Sequence, residues 1–146
     1  MPRIERTAEV VWEGNVARGS GRISAGTGAF SELPFSLPTR IGQAEGKTSP
    51  EELLAAAHAG CLTMSLASEL TQAGTPPTRL DVSCRIVMDE VEGEGHQIVG
   101  SDVTIRADVE GVDDEALADA IERADKSCPF STLLRKAGVE LSFTRA

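Results

Sequence analysis

Two cysteines, Cys61 and Cys128, are the first candidates for reactive residues in this sequence. Cys61 lies in an apolar stretch, three residues after His58 and ten residues after Glu51, and Cys128 directly precedes Pro129. A cysteine thiolate can act as a nucleophile or as a redox partner. A free cysteine can also pack as a small hydrophobic residue, and that interpretation stays open for each thiol on spacing alone.

The local settings of the two thiols predict different reactivity. If Pro129 is the first residue of a helix, Cys128 lies at the N-cap, where backbone N–H groups and the helix dipole stabilise a thiolate. Cys61, inside a helix, receives no such help and needs a nearby cation to become nucleophilic. Arg40 is the candidate cation, although spacing alone favours a solvated loop arginine.

Other polar residues fit structural roles better than catalytic ones. His58 and Cys61 have helical i, i+3 spacing, but the sequence has no C-x-x-C pair and His96 lies near a hairpin turn, so we expect no metal site. His58 is therefore interpreted as a hydrogen-bonded core histidine. Cys84 alternates with polar residues along a strand and is interpreted as packing. No G-x-S-x-G motif supports a serine hydrolase.

Composition limits the class of protein. The 146 residues suffice for one domain, predicted over residues 1–146, and 40% of them are hydrophobic. A net charge of −9 argues against nucleic acid and anionic membrane as partners. The apolar run 53–67 is shorter than the ~20 residues of a membrane span, and no signal-like segment opens the chain. We therefore expect a soluble, cytoplasmic protein, whose three cysteines form no structural disulfide framework.

A long helix is expected to carry Cys61. Ser49 can act as its N-cap, Pro50 fits the first helical position, and Glu52 completes a capping box. The helix is apolar on nearly all sides and should be buried on all of them. It should end near Gly74.

The remaining pattern predicts an α+β fold. Strands are expected at 5–12, 16–24 and 30–37, followed by a polar linker at 39–47 that leads into the long helix. After the helix we expect a hairpin of strands 82–88 and 99–109, a helix capped by Asp113, a short helix from Pro129 to Gly138, and a last strand at 139–143.

At this point the sequence resembles the OsmC/Ohr family, the osmotically inducible and organic-hydroperoxide-resistance proteins. The resemblance covers nearly the whole chain, and its pairing of two cysteine motifs is quite specific. The Ala-His-Ala before Cys61 and the Thr-Arg at 39–40 favour the OsmC branch. Leu62 stands where the family usually has Phe, which should alter the shape of the pocket. The segments that carry the resemblance are Trp12-Glu13-Gly14, Thr39-Arg40, Thr48-Ser49-Pro50-Glu51-Glu52-Leu53, Ala57-His58-Ala59-Gly60-Cys61 and Ser127-Cys128-Pro129.

The resemblance implies a thiol peroxidase that acts in oxidative or osmotic stress. Cys61 would be the peroxidatic cysteine and Cys128 the resolving one, which reverses the ranking from the helix dipole. Arg40 would activate the thiolate, and Glu51 would orient Arg40. The family fold has antiparallel sheets wrapped around a long central helix, in an intertwined homodimer with active sites at the subunit interface. No cofactor or metal is implied, and an external dithiol or a dihydrolipoyl group would be the reductant.

Two functions of other classes remain open on the sequence. The same cysteines could serve a non-enzymatic redox sensor, which would be oxidised once where an enzyme would cycle. The fold could also be a small-molecule binding module with an inactive site. Retention of Cys61, Cys128, Arg40 and Glu51 argues for the organic hydroperoxide reductase, with hydrogen peroxide as a poorer substrate.

Overall fold

Helices and two small sheets form the α+β architecture of this computed structural model, which describes residues 2–146 and confirms the predicted fold class. The chain divides into two compact units, Met1–Pro50 and Glu51–Ala146. The prediction of a single domain over 1–146 stays a prediction. The elements in chain order are β1 (Ala8–Glu13), β2 (Ser20–Ala25), β3 (Leu33–Phe35), α1 (Leu37–Ile41), α2 (Pro50–Gln72), β4 (Arg79–Val91), β5 (Gly95–Asp108), α3 (Asp114–Ser127), α4 (Pro129–Lys136) and β6 (Glu140–Arg145).

The N-terminal unit is an antiparallel sheet with the strand order β1-β2-β3. Trp12 and Phe35 lie on the outer strands with ring centroids 5.6 Å apart. Gly21 pairs with both of them across the sheet, and a Cβ at this position would clash with both rings. Glycine is required here because the aromatic rings approach the backbone of β2.

Helix α1 corrects the prediction of a strand through Leu37 followed by a polar linker from Thr39. The third strand is shorter than predicted, and the side chain of Ser36 accepts the Thr39 backbone N–H at 3.3 Å to cap a helical turn. Pro38 lies in the first turn of α1, where a missing N–H costs no helical hydrogen bond. The Ser-x-Pro signal of this helix start lies in the sequence at the point where the predicted strand meets the predicted linker.

In the C-terminal unit, α2 buries one stripe of side chains at four-residue spacing: His58, Leu62, Leu66 and Leu70. This stripe packs against Val103 and Ile105 of β5 and against the apolar face of α3. The expectation of burial on every side is wrong for the described chain, because Met64 on another face is 73% exposed. By length and composition alone, α2 could cross a membrane. One such helix is weak evidence, since the core helix of a soluble protein also meets this criterion.

The C-terminal sheet has the order β4-β5-β6. The predicted hairpin is confirmed: β4 and β5 are antiparallel, and Gly93 and Gly95 adopt positive φ in the turn between them. β6 runs parallel to β5, so this sheet is mixed and the expected antiparallel arrangement does not extend to its last strand. Helices α3 and α4 form the crossover that a parallel connection needs.

Candidate active site

Cys128 lies between two helices, as the sequence predicted. It ends α3, and it caps α4 with its sulfur, which accepts the backbone N–H of Ser131 at 3.5 Å. Pro129 occupies the first turn of α4. The Cys128 side chain is fully buried, so its thiol reacts only with a group that the fold brings against it.

Cys61 is brought against Cys128. Cys61 packs against the buried core cluster that includes Cys128. Burial, followed by the hydrogen bond to Cys128, raises the pKa of Cys61, while the Phe130 N–H lowers it. All three cysteines are reduced. The structure therefore joins the two cysteines singled out in the sequence in one thiol pair, although the net effect of these contacts favours the protonated form of Cys61.

His58 is the core histidine that the sequence predicted, and both of its ring nitrogens have partners. Nδ1 lies 2.6 Å from Ser101 Oγ of β5, and Nε2 lies 2.9 Å from Ser131 Oγ of α4. The ring is fully buried and meets Phe143 edge-on. Each serine hydroxyl can donate or accept, so this arrangement satisfies either neutral tautomer.

The charges around His58 come from α3 and α4. Arg135 and Asp125 form an ion pair at 2.8 Å, and the other Asp125 oxygen, Oδ1, is buried without a hydrogen-bond partner among residues 2–146. Burial lowers the pKa of His58; Asp125 opposes this shift and Arg135 adds to it. The imidazole is therefore held neutral at physiological pH.

Cys84 packs beside this network, as predicted from its place in the strand alternation. Its sulfur lies 3.2 Å from Ser101 Oγ, and burial raises the pKa of its thiol. It packs against the hydrophobic core as a half-buried residue. These features give Cys84 a structural role.

Arg40 and Glu51 lie in different units. Arg40 is an exposed residue in the last turn of α1, where it lines a cleft of about 200 Å³ with Trp12 and Phe35. Glu51 lies in the first turn of α2, in the unit that holds both thiols. The predicted grouping of Arg40 and Glu51 with Cys61 stays a prediction.

Sequence reasoning missed Ser101, Ser131 and the Phe130 N–H. Two of them left a signal. Ser101 shares the inward register of β5 with Val103 and Ile105, where a hydroxyl needs a buried partner. Ser131 follows Cys128 by three residues, the spacing at which an N-cap side chain meets a backbone N–H.

Within residues 2–146, no group of three or more His, Cys, Asp or Glu side chains could hold a metal ion. Leu62, where the family was expected to have Phe, lies in the core of the C-terminal unit.

Comparisons with known proteins show the family of the chain. The family model described as OsmC-like protein matches residues 42–144. The chain belongs to the OsmC-like family. It is 34% identical over 140 residues to the peroxiredoxin OsmC of Escherichia coli K12, with 96% of each chain covered. It is also 28% identical over 117 residues to an organic hydroperoxide resistance protein of Xanthomonas axonopodis pv. citri, with 79% of each covered.

Solved structures share the fold of this OsmC-like chain. An organic hydroperoxide resistance protein from Elizabethkingia anophelis matches with a TM-score of 0.76 at 24% identity, covering 100% of this chain and 99% of that one. At this identity the likeness shows the fold alone. The predicted family and its α+β fold are thereby confirmed.

Proposed function

We propose that this OsmC-like chain reduces organic hydroperoxides with Cys61 as the peroxidatic thiol and Cys128 as the resolving thiol. The observation that supports the proposal most strongly is the packing of Cys61 against the buried cluster that contains Cys128. The relatives are a peroxiredoxin and an organic hydroperoxide resistance protein, and the chain is a cysteine-based peroxidase. The role in oxidative or osmotic stress is part of the same proposal.

The cycle has three balanced steps. The Cys61 thiolate attacks the terminal hydroperoxide oxygen, the O–O bond breaks, and the leaving alkoxide takes a proton to become the alcohol. Cys61 is thereby oxidised to a sulfenic acid. The Cys128 sulfur then attacks the Cys61 sulfur, and the sulfenic hydroxyl leaves as water to give a disulfide. An external dithiol, either small or a protein-bound dihydrolipoyl group, restores both thiols by exchange and is itself oxidised to a disulfide.

The attacking thiolate needs a source of positive charge. Burial and Cys128 raise the pKa of Cys61, so the contacts of its own unit leave mainly the thiol at neutral pH. We assign the activating charge to Arg40 and the orientation of its guanidinium to Glu51. Arg40→Lys keeps a positive charge but loses the planar fork, and it should restore part of the rate that Arg40→Ala loses. Equal rates of Cys61 oxidation in wild type and Arg40→Ala would contradict this role.

A homodimer with shared sites completes the proposal. Glu51 and Cys61 are separated by ~15 Å along α2, which one arginine bridges poorly within a single helix. Antiparallel crossing of two α2 helices would bring Glu51 of one copy toward Cys61 of the other. The exposed apolar side chains of Met64 and Leu133, 73% and 60% accessible, are surfaces that a second copy would cover.

Mixed dimers test the shared site. Protomers carrying Cys61→Ser and protomers carrying Glu51→Ala, each inactive alone, should regain activity when mixed and reassociated. Dimers mixed from Cys61→Ser and Cys128→Ser protomers are the matched comparison for activity. They combine two substitutions whose thiols belong to one unit of the same chain. A mixture of Cys61→Ser and Glu51→Ala that stays inactive would count against a site shared between copies.

Variants of the two thiols test the assigned roles. With cumene hydroperoxide, Cys61→Ser should abolish oxidation, whereas Cys128→Ser should give one oxidation of Cys61 and no dithiol-dependent turnover. Cys84→Ser is the control and should cycle like wild type. A first oxidation as fast in Cys61→Ser as in wild type would overturn the assignment. A wild-type protein that is oxidised once but never recycles with dithiol would instead favour the sensor.

A further inference from the structure

We infer that His58 is a positioning residue that aligns Cys128 with Cys61 for disulfide closure, through its hydrogen bond to Ser131. This inference rests on the proposed peroxidase cycle and concerns its second step. Within the described residues, the polar contacts of His58 are Ser101, Ser131 and Cys84, none of which is a reacting thiol, so its role would be exerted through Ser131.

The geometry places one polar contact beside each thiol. His58 lies one helical turn before Cys61 on α2, and Ser131 lies one turn after Cys128 on α4. Their side chains meet at 2.9 Å between Nε2 and Oγ. The hydrogen bond therefore links the two helices at which the thiols lie. His58 is three residues before Cys61, and Ser131 is three residues after Cys128.

Ser131 connects the imidazole with the Cys128 sulfur. Its hydroxyl contacts His58, and its backbone N–H donates to Cys128 Sγ at 3.5 Å. A shift of Ser131 would therefore move the N–H group that donates to the sulfur. The backbone N–H of Phe130, the residue before Ser131, lowers the pKa of Cys61, so the first turn of α4 acts on both thiols.

The imidazole is itself anchored on its opposite side. Ser101 Oγ on β5 holds Nδ1 at 2.6 Å, and the edge of the Phe143 ring packs against the imidazole. Because the ring is fully buried and packs against Phe143, its position does not depend on the Ser101 contact alone, whereas the Ser131 contact is the one that joins it to α4.

Disulfide closure depends on this kind of alignment. The two Cβ atoms must come within about 3.5–4.5 Å with a dihedral near ±90°, and small displacements from a reactive geometry slow a reaction strongly. Formation of the sulfenic acid needs only Cys61 and the peroxide. Loss of the His58–Ser131 contact should therefore slow the closing step and spare the first oxidation.

Ser131→Ala tests the inference, and Ser101→Ala is its matched control. Each variant removes one buried hydroxyl from the same imidazole, but only Ser131 lies beside Cys128. The assay mixes reduced protein with cumene hydroperoxide and follows Cys61 sulfenic acid by dimedone trapping and the disulfide by loss of free thiols. Ser131→Ala should slow closure by about tenfold while sulfenic acid forms within about twofold of wild type. Ser101→Ala should slow closure by less than about threefold.

Two substitutions of His58 separate positioning from general stability. His58→Gln can place an amide N–H near the site of Nε2 and should keep most of the closing rate, whereas His58→Asn reaches only toward Ser101 and should lose it. Equal slowing by Ser131→Ala and Ser101→Ala, or none by either, would overturn the inference. A wild-type protein that forms no sulfenic acid or no disulfide would contradict the proposed function instead.

Discussion

Replacement of Leu66 by Ala is the most direct perturbation of the helix that carries Cys61. Leu66 is fully buried, in the middle of the stripe by which α2 packs onto the C-terminal sheet and α3. The three carbons lost contribute about 2.4 kcal/mol at about 0.8 kcal/mol each. Because no neighbour can fill the space completely, the cavity should raise the total loss to about 3–4 kcal/mol.

Urea unfolding followed by circular dichroism at fixed protein concentration measures this loss. Fixed concentration is needed because association would add to the apparent stability. Ser68→Ala is the control on the same helix: Ser68 is exposed, and its replacement should change the free energy of unfolding by less than about 0.5 kcal/mol. If Leu66→Ala lowers the free energy of unfolding by less than about 1 kcal/mol, the conclusion that this stripe packs α2 against the sheet and α3 is refuted.

Two further predictions concern pH and helix capping. Burial lowers the pKa of His58, so the native imidazole binds a proton less readily than the unfolded one, whose pKa is about 6.5. Its contribution to stability should be present above that pH and be lost as the pH falls toward the lower native pKa, and unfolding titrations should show a smaller loss in His58→Gln. An unchanged pH dependence in His58→Gln would contradict this. Asp113→Ala removes the side chain that caps α3 through the Ala116 N–H at 2.8 Å. It should lower the free energy of unfolding by about 1 kcal/mol, measured against Asp119→Ala, and equal losses would argue against the cap.

The sequence predicted the elements whose signals are local. Asp113 and Pro129 marked the starts of α3 and α4, and alternation with a glycine-rich turn marked the hairpin. Helix α1 was missed because it has five residues, too few for a periodic pattern. The parallel pairing of β6 with β5 has no local signal, since it depends on where the crossover helices return the chain.

The site was predictable in part. The cysteine motifs identified both thiols. The structure brings Cys61 and Cys128 together, although their spacing in the sequence could not predict that they meet. The partners of His58 were not predicted, because hydrogen bonds from one helix to a distant strand and another helix depend on tertiary packing. The burial of α2 was overestimated. An apolar composition shows that a helix can be buried on every side, but it does not show which of its faces the rest of the same chain covers.

In the proposed cycle, Cys61 and Cys128 form a reversible disulfide when a hydroperoxide is reduced. The most direct test counts free thiols before and after one equivalent of cumene hydroperoxide and maps any new disulfide by peptide analysis. Two thiols per chain should be lost, mapped to Cys61 and Cys128, and a dithiol should restore them. No loss of thiols, or a loss at Cys84, would contradict the proposed cycle and would favour a binding module on the same fold.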